Sequence, residues 1–189
     1  MKRPPIHLSW QAGAPPPDLD EKFIRRALAA FLTDLGHPSR GVSLLIADDP
    51  ALRKLNRAHR GRARPTDVLS WRHEEPAEPL LGELAVSLDR VRLQAARNGW
   101  DAPTELMRLL AHGCAHLAGF DHETPAEEAR MLPVEIRLLT GIGLENIYPG
   151  GPKPAGRSRR GRLTERRGRT GPRAKPPTGQ IRVRRGDKR

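Results

Sequence analysis

A single cysteine, Cys114, occurs in the 189 residues. No intramolecular disulfide can form, which suits a reducing compartment. No stretch approaches the roughly 18 apolar residues needed to span a bilayer. The opening residues, MKRPPIHLSW, lack the apolar core of a secretory signal. A soluble, cytoplasmic protein with no membrane association is therefore expected. Hydrophobic residues make up only 37%, below the usual share, so part of the chain is expected to stay outside any packed core.

Charge identifies that part. The formal net charge is +12, but residues 151–189 hold 15 Lys/Arg against 2 acidic residues, leaving 19 against 20 in residues 1–150. The first 150 residues are nearly neutral, and the basic character belongs to the tail. Gly, Pro, Lys and Arg fill 27 of its 39 positions, and only Ala155, Leu163, Ala174, Ile181 and Val183 are apolar. Such a segment buries too little to offset its ordering entropy, so a disordered tail over 151–189 is expected after a folded domain over 1–150. Its basic runs, RSRRGR and IRVRR, lack interleaved aromatics, which points to phosphate contacts rather than base stacking.

Within residues 1–150 the apolar periodicity alternates between strand and helix. Ile6 to Trp10 reads as a strand. A helix follows from about Asp18 to Gly36, and Val42 to Ala47 is a second strand. Asp48-Asp49-Pro50 opens a helix to about His59. Val68–Trp71 and Leu81–Val86 read as strands. Ser87 caps a helix to about Asn98, and another runs from Thr104 to Leu117. Thr124-Pro125-Ala126-Glu127 has the form of a capping box, opening a helix to about Thr140 in which Pro133 is expected to make a kink or mark an irregular turn. The expected fold is α+β, a small mixed sheet of about four strands packed with about five helices.

The chemistry concentrates in HGCAHLAGFDH, residues 112–122. On a helix, positions i and i+4 differ by roughly 40° and about 6 Å of rise, so His112 and His116 share a face. Gly119 allows the chain to turn back and bring His122 in as a third ligand. Three imidazoles with an open fourth position characterise a catalytic zinc site, although nickel, cobalt or iron also suit that donor set. The spacing is that of the zinc proteases written H-E-x-x-H-x-x-G-x-x-H, except that Gly113 replaces the glutamate base. The glycine provides either room beside the metal or close helix packing. Cys114 is expected to point away from the metal as a buried small residue.

These residues resemble the H-G-x-x-H-L-x-G-[YF]-D-H signature of the YbeY family, metal-dependent endoribonucleases of ribosomal RNA maturation. LNRAHRGRARPTDVLSW, residues 55–71, is similar to the family's L-N-x-x-[YF]-R-x-x-x-x-P-T-D-V-L-S-F, and Leu81-Gly82-Glu83 to its L-G-[DE]. The departures are His59 for an aromatic, Trp71 for phenylalanine and Ala115 for leucine. The resemblance implies zinc held by His112, His116 and His122, with His116 and Arg60 as catalytic residues. It further implies single-stranded regions of ribosomal RNA precursor as substrate, in small-subunit 3′-end maturation and ribosome quality control, and the small ribosomal subunit as partner.

Arg60, Arg62 and Arg64 lie together before Thr66 and Asp67, and guanidinium groups match phosphate geometry. Asp67 is expected to serve the turn rather than the chemistry. Asp121 is expected to orient a histidine, and with Glu83 is a candidate proton carrier. Two other readings of the pattern are a metallopeptidase and a non-catalytic ribosome-assembly factor whose metal is structural.

Overall fold

The computed structural model describes residues 4–11, 15–61, 64–145 and 147–148, with the side chain of Arg60 outside that set. All of these fall in one compact unit, residues 1–157. The tail expected to be disordered lies outside the described residues. Among the described residues, nine elements run in the expected order: β1 (Ile6–Trp10), α1 (Glu21–Asp34), β2 (Gly41–Ala47), α2 (Asp49–Arg60), β3 (Val68–Arg72), β4 (Leu80–Ser87), α3 (Leu88–Asn98), α4 (Ala102–Leu117) and α5 (Pro125–Gly141). Among the described residues no helix is long and apolar enough to cross a membrane.

The sheet is mixed, in the order β1-β2-β4-β3. β1 with β2 and β2 with β4 are parallel, while β3 runs antiparallel to β4 at one edge. Side chains along each strand alternate between the two faces. Val42, Leu44 and Ile46 of β2 join Leu84 and Val86 of β4 in the main core, together with residues of α1, α3, α4 and α5. The intervening Ala47 and Ala85 belong to a smaller cluster with Leu52 of α2 and Leu69 of β3. His59 and Trp71, the two aromatic departures from the motif, lie beside each other with ring centroids 4.8 Å apart.

Helix α4 is buried nearly all round, with Leu106, Met107, Leu109, Leu110, Ala111, Cys114 and Ala115 at most 1% exposed. A helix apolar on every face belongs in a core, and α4 packs against β3, β4, α1, α3 and α5. It begins two residues before the expected Thr104, because Asp101 is its N-cap, accepting from the Thr104 N–H, and Pro103 fits its first turn.

Helix α5 opens with the expected capping box between Thr124 and Glu127 and continues through Pro133 as one helix. Proline removes the N–H that would reach the carbonyl four residues back. Both Pro133 and Ala129 are solvent-exposed, so water can satisfy that carbonyl.

Candidate metal centre

The last turn of α4 presents His112 and His116 on one face, as their spacing requires. Gly119, at φ 95°, then reverses the chain, and its amide donates to the His116 carbonyl at 2.9 Å. The reversal carries His122 back onto the same spot. The three imidazoles have ring centroids 4.6, 5.1 and 5.0 Å apart, and one potential ligand atom from each lies within 4.8 Å of the others. The site sits at the C-terminal end of α4, where the helix dipole favours a cation.

Hydrogen bonding sets the tautomers of two of these rings. His112 Nδ1 faces Glu135 Oε1 at 2.7 Å, and His116 Nδ1 faces the Phe120 carbonyl at 3.0 Å. Both oxygens are acceptors, so each neutral ring carries its proton on Nδ1 and a lone pair on Nε2. Those two Nε2 atoms are 3.2 Å apart. Two lone pairs facing each other repel unless a shared cation lies between them. A tetrahedral ion with Zn–N distances of about 2.0–2.1 Å would set its nitrogens roughly 3.3–3.4 Å apart. The donor set therefore fits a divalent metal, and the outward N–H of each ring meets an oxygen in the usual manner of metal-bound histidines. Burial and the neighbouring His112 and His122 hold the His116 imidazole below its ordinary pKa, so it is readily available in the neutral, ligating form.

Glu135 is the residue that motif reading missed. It lies on α5, 19 residues beyond His116, outside the histidine signature. Its other oxygen accepts a hydrogen bond from the Tyr148 hydroxyl. Burial alone would raise the Glu135 carboxyl, but hydrogen bonds from His112 and Tyr148 and the charge of Arg108 hold it below the usual carboxylate range. Tyr148 is shifted upward by burial and by Glu135, so it remains a neutral donor. The only sequence signal for Glu135 is an acidic residue among Met131, Val134, Leu138 and Leu139, the buried face of α5.

Asp121 borders the histidines without a hydrogen bond to a ring nitrogen. Its Oδ1 accepts from the His122 amide at 2.8 Å and lies 3.9 Å from His116 Nδ1, outside hydrogen-bond reach. Glu83 is on β4, 3.8 Å from His73 Nε2. Cys114 is fully buried on the opposite side of α4, and burial pushes its thiol up to about 12. Gly113 settles the choice between room and packing. A Cβ there would come 2.8 Å from Leu84 Cδ2 and 3.5 Å from Val68 Cγ2, so the position faces the sheet, and its lack of a side chain lets α4 approach β3 and β4.

Of the arginine loop, Arg64 is exposed, and its carbonyl accepts from buried Asn56 Nδ2 at 2.9 Å. Arg62 and the Arg60 side chain lie outside the described residues. Asp67 serves the turn, its two oxygens accepting from Val68 N at 2.9 Å and Gln94 Nε2 at 3.0 Å. Gln94 in turn accepts from Arg108, which pairs with the fully buried Glu105 at 2.6 Å. A polar chain thus ties the loop before β3 to the metal-site helix. Beside the histidines lies a cavity of about 430 Å³, its far wall formed by α5 and Tyr148.

Residues 15–143 match the family described as Endoribonuclease YbeY. The Endoribonuclease YbeY of Anaeromyxobacter sp. strain Fw109-5 is 40% identical over 136 residues, spanning 70% of this chain and 71% of that protein. The protein of the same name from Symbiobacterium thermophilum is 41% identical over 136 residues, 67% of this chain and 86% of its own. That of Thermus thermophilus is 39% identical over 120 residues, 61% and 86%. The solution structure of a Thermotoga maritima protein superposes with a TM-score of 0.52 at 23% identity, covering 72% of this chain and 88% of that one, a likeness of fold.

Proposed function

The chain belongs to the YbeY family of endoribonucleases, and on that footing we propose that it is a zinc-dependent, single-strand-specific endoribonuclease that matures ribosomal RNA in the cytoplasm. The observation that carries the metal assignment is the pair of Nε2 lone pairs facing each other at 3.2 Å, with His122 closing the third side. His112, His116 and His122 would hold the ion. Bound zinc supplies Lewis acidity toward a phosphodiester.

The chain's own residues have separable tasks in this reading. Glu135 and the Phe120 carbonyl keep the His112 and His116 rings in the ligating tautomer and orientation. Arg60, Arg62 and Arg64 grip RNA phosphates, and Arg60 balances the charge that develops on the phosphoryl oxygens. Asp67, held by Gln94, fixes the end of that loop. The protease glutamate serves to activate an external water; attack by the RNA's own 2′-hydroxyl, its proton passing to solvent base, has no need of that residue. Position 113 faces Leu84 and Val68, which speaks against the peptidase reading. The tail adds phosphate contacts of no base specificity, and the small ribosomal subunit is the partner that would present the substrate.

The test combines elemental analysis of the purified full-length protein with cleavage of single-stranded ribosomal RNA precursor, with and without chelator. One equivalent of zinc is expected. Cleavage should be lost in chelator and in folded His116→Ala, with much of the RNA binding retained. Cleavage that survives complete metal removal would refute the mechanism. A 2′,3′-cyclic phosphate on the product would identify the 2′-hydroxyl as nucleophile.

A further inference from the structure

The geometry points to a nucleobase subsite beside the metal centre, selective for guanine, in the cavity between the histidines and α5. This assignment rests on the endoribonuclease reading above and adds what the enzyme selects. The cavity, about 430 Å³, has His112 and His122 on one side and Glu128, Met131, Leu132 and Tyr148 on the other. Its volume lies in the range of small-ligand sites, and Met131 and Leu132 give it apolar surface beside the polar groups of His112, His122, Glu128, Glu135 and Tyr148. Leu132 is 39% exposed, one of three large apolar side chains left so open among the described residues.

The charge of the wall decides what can lie there. Glu135 is committed to His112 and Tyr148, and Glu127 to the cap of α5. Glu128 has no such engagement among the described residues and borders the cavity. A carboxylate repels the phosphate backbone, so this wall does not track the sugar-phosphate chain. It suits the uncharged part of a nucleotide. Single-stranded RNA offers unstacked bases that proteins read on their Watson–Crick edges. Met131 and Leu132 give an apolar surface for the ring face. The two oxygens of Glu128 match two adjacent donors, as in other bidentate carboxylate contacts. Guanine alone places two donors, N1–H and the 2-amino group, side by side on that edge. Uracil presents one donor between two carbonyls, and adenine and cytosine each place an acceptor beside their amino group.

The experiment maps cleavage by the full-length, metal-loaded protein on a randomised single-stranded RNA pool, then compares guanosine with inosine at the selected position. Glu128 is exposed, so solvent competes for its oxygens, and the wild type should favour guanosine at one fixed position relative to the cut by roughly 5-fold, the low end for a bidentate base contact. Inosine, which lacks the 2-amino group, should lose most of that preference. Glu128→Gln should flatten both the guanosine bias and the inosine penalty, and Leu132→Ser should lower kcat/KM for all four bases together. As a readout independent of cleavage, guanosine 5′-monophosphate should shift the methyl resonances of Met131 and Leu132 more than uridine 5′-monophosphate does. Cleavage without base bias, or a guanosine bias unchanged in Glu128→Gln, overturns the subsite and leaves the nuclease standing. Absence of any RNA cleavage by the zinc-loaded wild type overturns the nuclease reading itself.

Discussion

Removing the Glu135 carboxylate tests how much of the metal centre is set from outside the ligand shell. The side chain is 8% exposed and bridges His112 Nδ1, at 2.7 Å, and the Tyr148 hydroxyl. In Glu135→Ala the His112 ring loses the acceptor that fixes its tautomer, and the other nitrogen is no longer held toward the shared point. Loss of such an outer partner typically lowers metal affinity about 10- to 100-fold, or roughly 1.4–2.7 kcal/mol. The metal-free protein should lose about 0.5–1.5 kcal/mol of stability, the net worth of a hydrogen bond, because the Tyr148 hydroxyl borders the cavity, where water can replace its acceptor. Glu135→Gln keeps an acceptor for His112 but not the charge, so its affinity should fall between wild type and alanine. Zinc competition against a chromophoric chelator, run beside a urea titration, gives both quantities. RNA cleavage by Glu135→Ala should recover when zinc is raised in proportion to the lost affinity. If Glu135→Ala is folded and binds zinc within twofold of wild type, the positioning role is wrong.

Further outcomes can be checked on the same protein. Gly113→Glu, which restores the protease spelling of the motif, should destabilise by at least ~1–3 kcal/mol through overpacking against Leu84 and should create no peptidase activity in a casein assay. Cys114, fully buried with its thiol pushed up to about 12, should not react with a thiol reagent at pH 8 until the protein is unfolded in guanidinium. Arg108→Leu strands the charge of Glu105, which is 0% exposed, and should cost about 3–5 kcal/mol; Glu105→Gln in the same chain should recover part of that loss in a double-mutant cycle. Deleting residues 151–189, which carry 15 Lys/Arg, should weaken RNA binding most at low salt and flatten the dependence of log K on log salt. Unchanged affinity at low salt would dismiss the tail as a binding element.

The features that could be read from the chain are those carried by short-range spacing. Helix α4 and its histidines follow from a 3.6-residue period and a four-residue interval, and the turn back to His122 follows from Gly119. The strands follow from alternation, since Val42, Leu44 and Ile46 enter one core and Ala47 another. Local signals blur where a cap or a solvent-facing proline decides the outcome. Asp101 starts α4 earlier than the apolar pattern does. Pro133 is carried inside α5 on its solvent-facing side, where it and Ala129, whose carbonyl it deprives of an N–H, are both exposed residues.

What stayed hidden is what the fold brings together from distant positions. Asp121 is adjacent to His122 in sequence and is the natural choice to orient a histidine, yet its carboxylate is used on the His122 amide. The acceptor that faces His112 comes from α5, 23 residues on, and gives no periodic signal beyond a polar residue on an apolar face. The same applies to the chain from Asp67 through Gln94 and Arg108 to Glu105, whose members lie on a loop and two helices. Buried charges must be paired to be tolerated. A lone acidic residue on the buried face of a helix therefore signals that a partner exists without saying where. Among the described residues two of this kind, Glu105 and Glu135, are both buried on helices packed at the site, and both lead back to the metal-bearing helix.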